Sequence, residues 1–122
     1  MFTFKEKKDY FISECKSKRY LMKRLIELHE KMENISLELQ SNTDNPKSLM
    51  YEEELLMNEE NSLIDRINKI DDIIAEVRDP IVRAMITSLW INHHSKTRVS
   101  QDFDYCEQQI YKKIEKELHE IL

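Results

Sequence analysis

Residues 21–39 read LMKRLIELHEKMENISLEL, and within them Leu21, Leu25, Leu28, Met32, Ile35 and Leu39 recur at spacings of 4, 3, 4, 3 and 4. That alternation keeps one apolar row on a single face of an α-helix and is the signature of a heptad seam. It predicts a first helix from about Lys5 to Leu39, whose less regular upstream turns add Phe11 and Cys15 to roughly the same face. The run Ser41-Asn42-Thr43-Asp44-Asn45-Pro46 then breaks the pattern. Short polar side chains compete for backbone hydrogen bonds, and proline restricts the residue before it. This segment is the expected hairpin loop, with Ser48 as N-cap of the next helix. The second helix is expected from about Leu49 to Val77, with a seam of Leu56, Leu63, Ile67, Ile70, Ile74 and Val77 and with Glu60 in the slot between Leu56 and Leu63. Two long helices with matching seams and a short connection fold back antiparallel. Each seam is narrow and buries little surface, so a homodimer through the long helices is expected.

Asp79-Pro80 opens the C-terminal part: Asp suits an N-cap, and proline suits the first helical position, where its missing N–H has no partner to lose. A third helix is expected from Pro80 to about Ile91, a short fourth from an N-cap at Ser95 to about Phe103, and a fifth from about Glu107 to Leu122. The fold expected is therefore all-α: a long antiparallel helical hairpin over 1–78, coiled-coil-like and serving dimerisation, followed over 79–122 by a small three-helix head containing a helix-turn-helix.

Composition narrows the function classes. The chain has 122 residues, no glycine and two prolines, Pro46 and Pro80. Glycine-rich phosphate loops and most β architectures need glycine, so the composition argues against Rossmann, P-loop and most β folds. Cys15 and Cys106 are far apart and form no CxxC; they read as reduced thiols, and no zinc ligand set accompanies them. No apolar run approaches the roughly 20 residues of a membrane span, and no signal-peptide pattern opens the chain. A cytoplasmic protein (in a host cell) with no membrane partner is expected. The net charge is −5, unevenly spread. Residues 1–40 carry nine basic and seven acidic side chains (+2), residues 41–78 four and ten (−6), and residues 79–122 six and seven (−1).

Residues 95–122 carry the functional signal. A short helix, a tight turn and a longer helix are spaced so that Val99, Phe103, Tyr105, Ile110 and Ile114 can meet in one small core, with the small Ser100 where two helices approach. The fifth helix then exposes Glu107, Gln108, Gln109, Lys112 and Lys113 near its start, where recognition helices meet base edges. Glutamine can bond adenine bidentately, and lysine can reach guanine or phosphate. Gln108, Gln109, Lys112 and Lys113, with Lys96 and Arg98 on the fourth helix, form the expected DNA-contacting set. By periodicity alone, the same layout also describes a plain packing element.

The stretch Asp79-Pro80-Ile81-Val82-Arg83, then Trp90-Ile91-Asn92, then Val99-Ser100-Gln101-Asp102-Phe103-Asp104-Tyr105-Cys106, Ile110-Tyr111 and Leu118 resembles the C-terminal half of ArpU/RinA-type late-gene transcription regulators of phages of low-GC Gram-positive bacteria. The resemblance implies a head like region four of sigma factors, preceded by a long helical segment, and a phage or prophage regulator that binds promoter DNA or RNA polymerase. Three positions depart from the pattern. Cys106 stands where serine usually caps the helix, Glu107 puts a carboxylate at its leading edge, and Asp104 fills a turn position where glycine or asparagine is commoner.

Other features have plainer readings. His93-His94 lacks neighbouring ligands at metal spacing and reads as a solvated helix end or phosphate contact. His29 and Glu33 read as a surface pair, Glu60 as a fraying edge of the seam, and Trp90 as a core anchor. Lys16, Lys18, Arg19, Lys23 and Arg24 read as a solvated face. No nucleophile, base and orienting group can be assembled, so neither enzymatic activity nor a cofactor or metal is expected. The acidic middle leaves a second function open: a phage-encoded acidic helical module that binds and modulates a host protein without touching DNA.

Overall fold

The computed structural model describes residues 1–41 and 44–122. The fold is all-α. Among the described residues there is no strand, and the elements are α1 (Phe4–Gln40), α2 (Pro46–Glu76), α3 (Pro80–Ile86) continued by a π-helical turn (Thr87–Ile91), α4 (Lys96–Phe103) and α5 (Glu107–Ile121). Among those residues no helix is long and apolar enough to cross a membrane. Asn42 and Thr43, inside the expected hairpin loop, lie outside the described residues. Helix α2 begins three residues earlier than the pattern implied. The Asn45 side chain accepts the Ser48 N–H at 3.3 Å, so Asn45 is the cap and Pro46 takes the first helical position, where a missing N–H costs nothing. Ser48 lies inside the helix.

The chain forms two compact units, Met1–Arg19 with Asn68–Leu122, and Tyr20–Ile67. In the second unit, Leu21, Leu28, Ile35 and Leu63 are buried, while Leu25, Met32, Leu39, Leu49, Leu56 and Ile67 are half-buried. The seam is thus fully covered on one row and open on the other, as two helices alone can achieve. Two features read from sequence as surface are part of this pairing. Arg24 holds Glu59 through Nε at 2.8 Å and a second nitrogen at 3.1 Å, a bidentate contact that keeps the Glu59 carboxyl below its usual range. His29 meets Glu60, not Glu33, with Nε2 and Oε2 2.8 Å apart. Glu60 is therefore not a fraying edge: it is half-buried and tied to the facing helix.

The other unit joins the base of the hairpin to the three-helix head. Lys18 pairs with Asp71 at 2.6 Å, and the Arg19 guanidinium donates to Asn92 at 2.9 Å. These cations brace the fold, contrary to their reading as a solvated face, because α2 and the end of the π-helical turn present acceptors to them. Phe11 meets Trp90 edge-on, centroids 6.4 Å apart, so Trp90 is a core anchor. Val77, Val82, Met85, Ile86, Leu89, Ile91, Val99, Ile110, Ile114 and Leu118 are buried in the same unit. Cys15 is buried with them, and burial pushes its thiol up to about 12. Buried Glu14 is satisfied by the Tyr10 hydroxyl, which donates to it at 2.8 Å.

The Asp79 cap forms as the sequence implied, its carboxylate accepting the Ile81 N–H at 2.9 Å. The helix opened there ends in the wider π turn. The Asn92 N–H reaches back to Thr87 at 2.8 Å, and His93 takes a left-handed φ of 56°. That conformation is uncommon outside glycine, although histidine tolerates it better than most residues. It carries His93 back onto α1, where its Nε2 lies 3.0 Å from the Lys16 carbonyl oxygen. His93 thus touches α1 while remaining exposed, as a solvated helix end would be, and His94 is half-buried.

Candidate nucleic-acid interface

Helices α4 and α5 form the helix-turn-helix expected of residues 95–122. Ser95 caps α4 by accepting the Arg98 N–H at 3.1 Å. The turn depends on Ser100. Its carbonyl accepts the N–H groups of Asp104 and Tyr105, and its hydroxyl donates to the Tyr105 carbonyl at 2.6 Å. Asp104 takes the left-handed conformation, φ 57° and ψ 41°, which lets the chain reverse direction within two residues. Aspartate tolerates this region better than most because its short side chain bonds locally. Sequence reading assigned Ser100 only a small size; the hydroxyl's role depends on the turn geometry. Val99, Ile110 and Ile114 are buried, whereas Phe103 and Tyr105 are only half-buried, so the expected five-residue core is a three-residue core with two aromatics at its rim.

Cys106 opens α5 in extended conformation. The Gln109 side chain reaches back to accept the Cys106 N–H at 3.2 Å, half of a capping box. Gln109 therefore has structural work of its own, which sets it apart from Gln108. Gln108, Gln109 and Lys112 are exposed and Lys113 is half-buried. The Lys113 ammonium sits 4.9 Å from the Tyr105 ring centroid, and Lys96 lies 5.4 Å from that of Tyr111. Both distances fall within cation–π range. Arg98 is exposed and pairs with Asp102, one helical turn on, at 3.6 Å, a contact weak enough to open in favour of a phosphate. The six expected residues thus lie on α4 and the first half of α5. The second half of α5 is tied to α1: Lys8 pairs with Glu115 at 3.4 Å, Phe4 stacks on His119 with centroids 3.5 Å apart, and the Lys7 ammonium donates to the Leu122 carbonyl at 3.3 Å.

Two features of this surface escaped the sequence reading. Lys116, exposed one turn beyond Lys112 and Lys113, extends the basic edge of α5, and continuing the i, i+4 spacing would have found it. A cleft of about 640 Å³ opens beside the start of α4, lined by Trp90 and Ile114 and by both basic and acidic side chains, Lys8, Lys16, His94 and Lys96 with Asp9 and Glu115. The Nδ1 atom of His94 is buried without a partner. No local sequence signal joins residues 8 and 16 to 94 and 96. Over residues 95–113, four basic side chains (Lys96, Arg98, Lys112, Lys113) face three acidic ones (Asp102, Asp104, Glu107), a balance of +1 in a chain of −5. Among the described residues no group of three or more His, Cys, Asp or Glu could hold a metal ion. Comparison of the chain with protein-family models, with characterised proteins and with solved structures finds no match.

Proposed function

We propose that this chain is a phage or prophage transcriptional regulator, non-enzymatic, whose head binds promoter DNA through α5 and docks on phosphates through the start of α4. The observation that carries the reading is the α4–turn–α5 unit itself. Its apolar side chains point inward at Val99, Ile110 and Ile114, while Gln108, Lys112 and Lys96 are left exposed around the turn. That division of labour supports base reading by the start of α5 and phosphate contact by the flanking cations.

The charge balance sets the expected strength. Four phosphate contacts from Lys96, Arg98, Lys112 and Lys113 give a salt slope of about −3.6 per head. Glu107 and the acidic residues 41–78 work against this attraction, so one head binds weakly. Two heads in a homodimer, or a contact with RNA polymerase, supply the remainder. Electrophoretic shift on duplex fragments spanning the chain's own coding region and its flanks tests the reading. A shifted fragment that competes with random duplex of equal length is expected. Absence of any shift at low salt, together with stable capture of a host protein, would replace this reading with that of an acidic protein-binding module.

A further inference from the structure

The unit Tyr20–Ile67 carries a second apolar row beside its seam. Met50, Met57 and Ile64 repeat every seven residues on α2, each one position beyond the seam residues Leu49, Leu56 and Leu63. On α1, Met22 follows the seam residue Leu21 in the same way, and Ile26 lies one turn on. All five are between 36% and 59% exposed. A helix that pairs with one partner needs only the two seam rows, whereas a helix inside a bundle carries a third apolar row beside them. By this pattern α2 is built for more than one neighbouring helix.

The two flanks of the paired helices differ in chemistry. One carries Arg24, Glu27 and Lys31 on α1 with Glu52, Glu59 and Arg66 on α2, and the Arg24–Glu59 pair closes it. The other carries the Met/Ile row with the neutral Ser36 and Asn61; His29, seven residues after Met22, stands in the same row and meets Glu60 across the pair at 2.8 Å, while Glu33 and Glu54 lie toward the loop end. From Met50 to Ile64 the row runs about 21 Å at the helical rise of 1.5 Å per residue. The chain also has area to spare. Its accessible surface is 8577 Å², against about 7,000 Å² for a compact monomer of this mass. The excess exceeds the roughly 800 Å² that each partner contributes to a standard interface.

We infer that this Met/Ile face packs against the same face of a second copy, turning two helix pairs into an antiparallel four-helix bundle. The proposal rests on the homodimer in the functional reading above and names the surface that forms it. A two-fold axis suits a self-complementary row. Antiparallel copies are required because parallel ones would bring both sets of Glu33 and Glu54 together at one end. The charged flank stays in water.

Sedimentation of the full chain, with far-UV circular dichroism on the same samples, tests this. Wild type and Leu55→Lys, whose exposed leucine lies on the charged flank, are expected to be dimers at tens of micromolar. Met57→Lys/Ile64→Lys is expected to be monomeric with helix content retained, its dimer weakened by at least about 100-fold because unpaired ammonium groups resist burial. Met22→Lys/Ile26→Lys, which alters the same face on the other helix, should reproduce that result. Dimers that survive both double substitutions would overturn the proposed face while leaving self-association standing. A monomeric wild type would overturn both.

Discussion

Replacing Leu28 by alanine tests the seam at its most enclosed point. The side chain is fully buried, and the substitution removes three carbons, about 2.4 kcal/mol of transfer free energy at about 0.8 kcal/mol each. A cavity term adds to this, but a seam between two helices can close or admit water more easily than a deep core. We therefore expect a loss of about 2–3.5 kcal/mol, the lower part of the range for such truncations. Leu25, half-buried one turn earlier, should lose about half as much when changed to alanine. Urea titration followed by circular dichroism, at one fixed protein concentration so that association contributes equally, measures both. A loss below about 0.5 kcal/mol at Leu28, or a larger loss at Leu25 than at Leu28, would refute the assigned register.

Three further outcomes follow from named contacts. Asp104→Gly should stabilise the protein by about 0.5–1 kcal/mol: relief of the left-handed conformation gains about 1–2 kcal/mol, and glycine's extra unfolded-state entropy takes back about 0.5–1. A lower melting temperature in that variant would contradict the turn geometry. A thiol reagent at pH 8 should label exposed Cys106 at once and Cys15, whose thiol is pushed up to about 12 by burial, only on unfolding; two equally fast thiols would contradict that burial. Because Arg24 holds the Glu59 carboxyl below its usual range, the pair stabilises the fold above ordinary carboxylate pKa values, and this is lost as pH falls through the lowered folded value. The melting-temperature gap between wild type and Glu59→Gln should therefore be present at pH 7 and shrink as pH falls below the ordinary carboxylate range, whereas a gap independent of pH would exclude the ion pair as its cause.

The parts of the fold read correctly from sequence are those fixed by local chemistry. The spacing of Leu21 through Leu39 gave the seam, Asp79-Pro80 gave the start of α3, and Ser95 gave the cap of α4. What escaped the reading depends on residues distant in the chain. Lys18, Arg19 and Arg24 look like surface charge until Asp71, Asn92 and Glu59 are brought to them. Glu60 looks like a flaw in the seam until His29 meets it. Ser48 resembled a cap because its type favours one, but Asn45 precedes a proline already set for the first helical turn. The head followed the same rule. Its helices and turn were legible, but the capping role of Gln109 and the cleft that joins Lys8 and Lys16 to His94 and Lys96 were not.

Whether α4 and α5 bind DNA is decided by how binding depends on salt. Fluorescence anisotropy with a labelled duplex of 20–30 base pairs, titrated from low to physiological salt, should give a log–log slope of about −3 to −4 per head. Lys113→Ala should flatten that slope by about one, while Gln108→Ala should leave it unchanged and cost about 1–3 kcal/mol only on the preferred sequence. Gln108 is the cleaner probe because Gln109 also caps its helix. Indistinguishable curves for wild type, Lys113→Ala and Gln108→Ala, or no binding at low salt, would show that the helix-turn-helix of this chain is not a DNA-reading element.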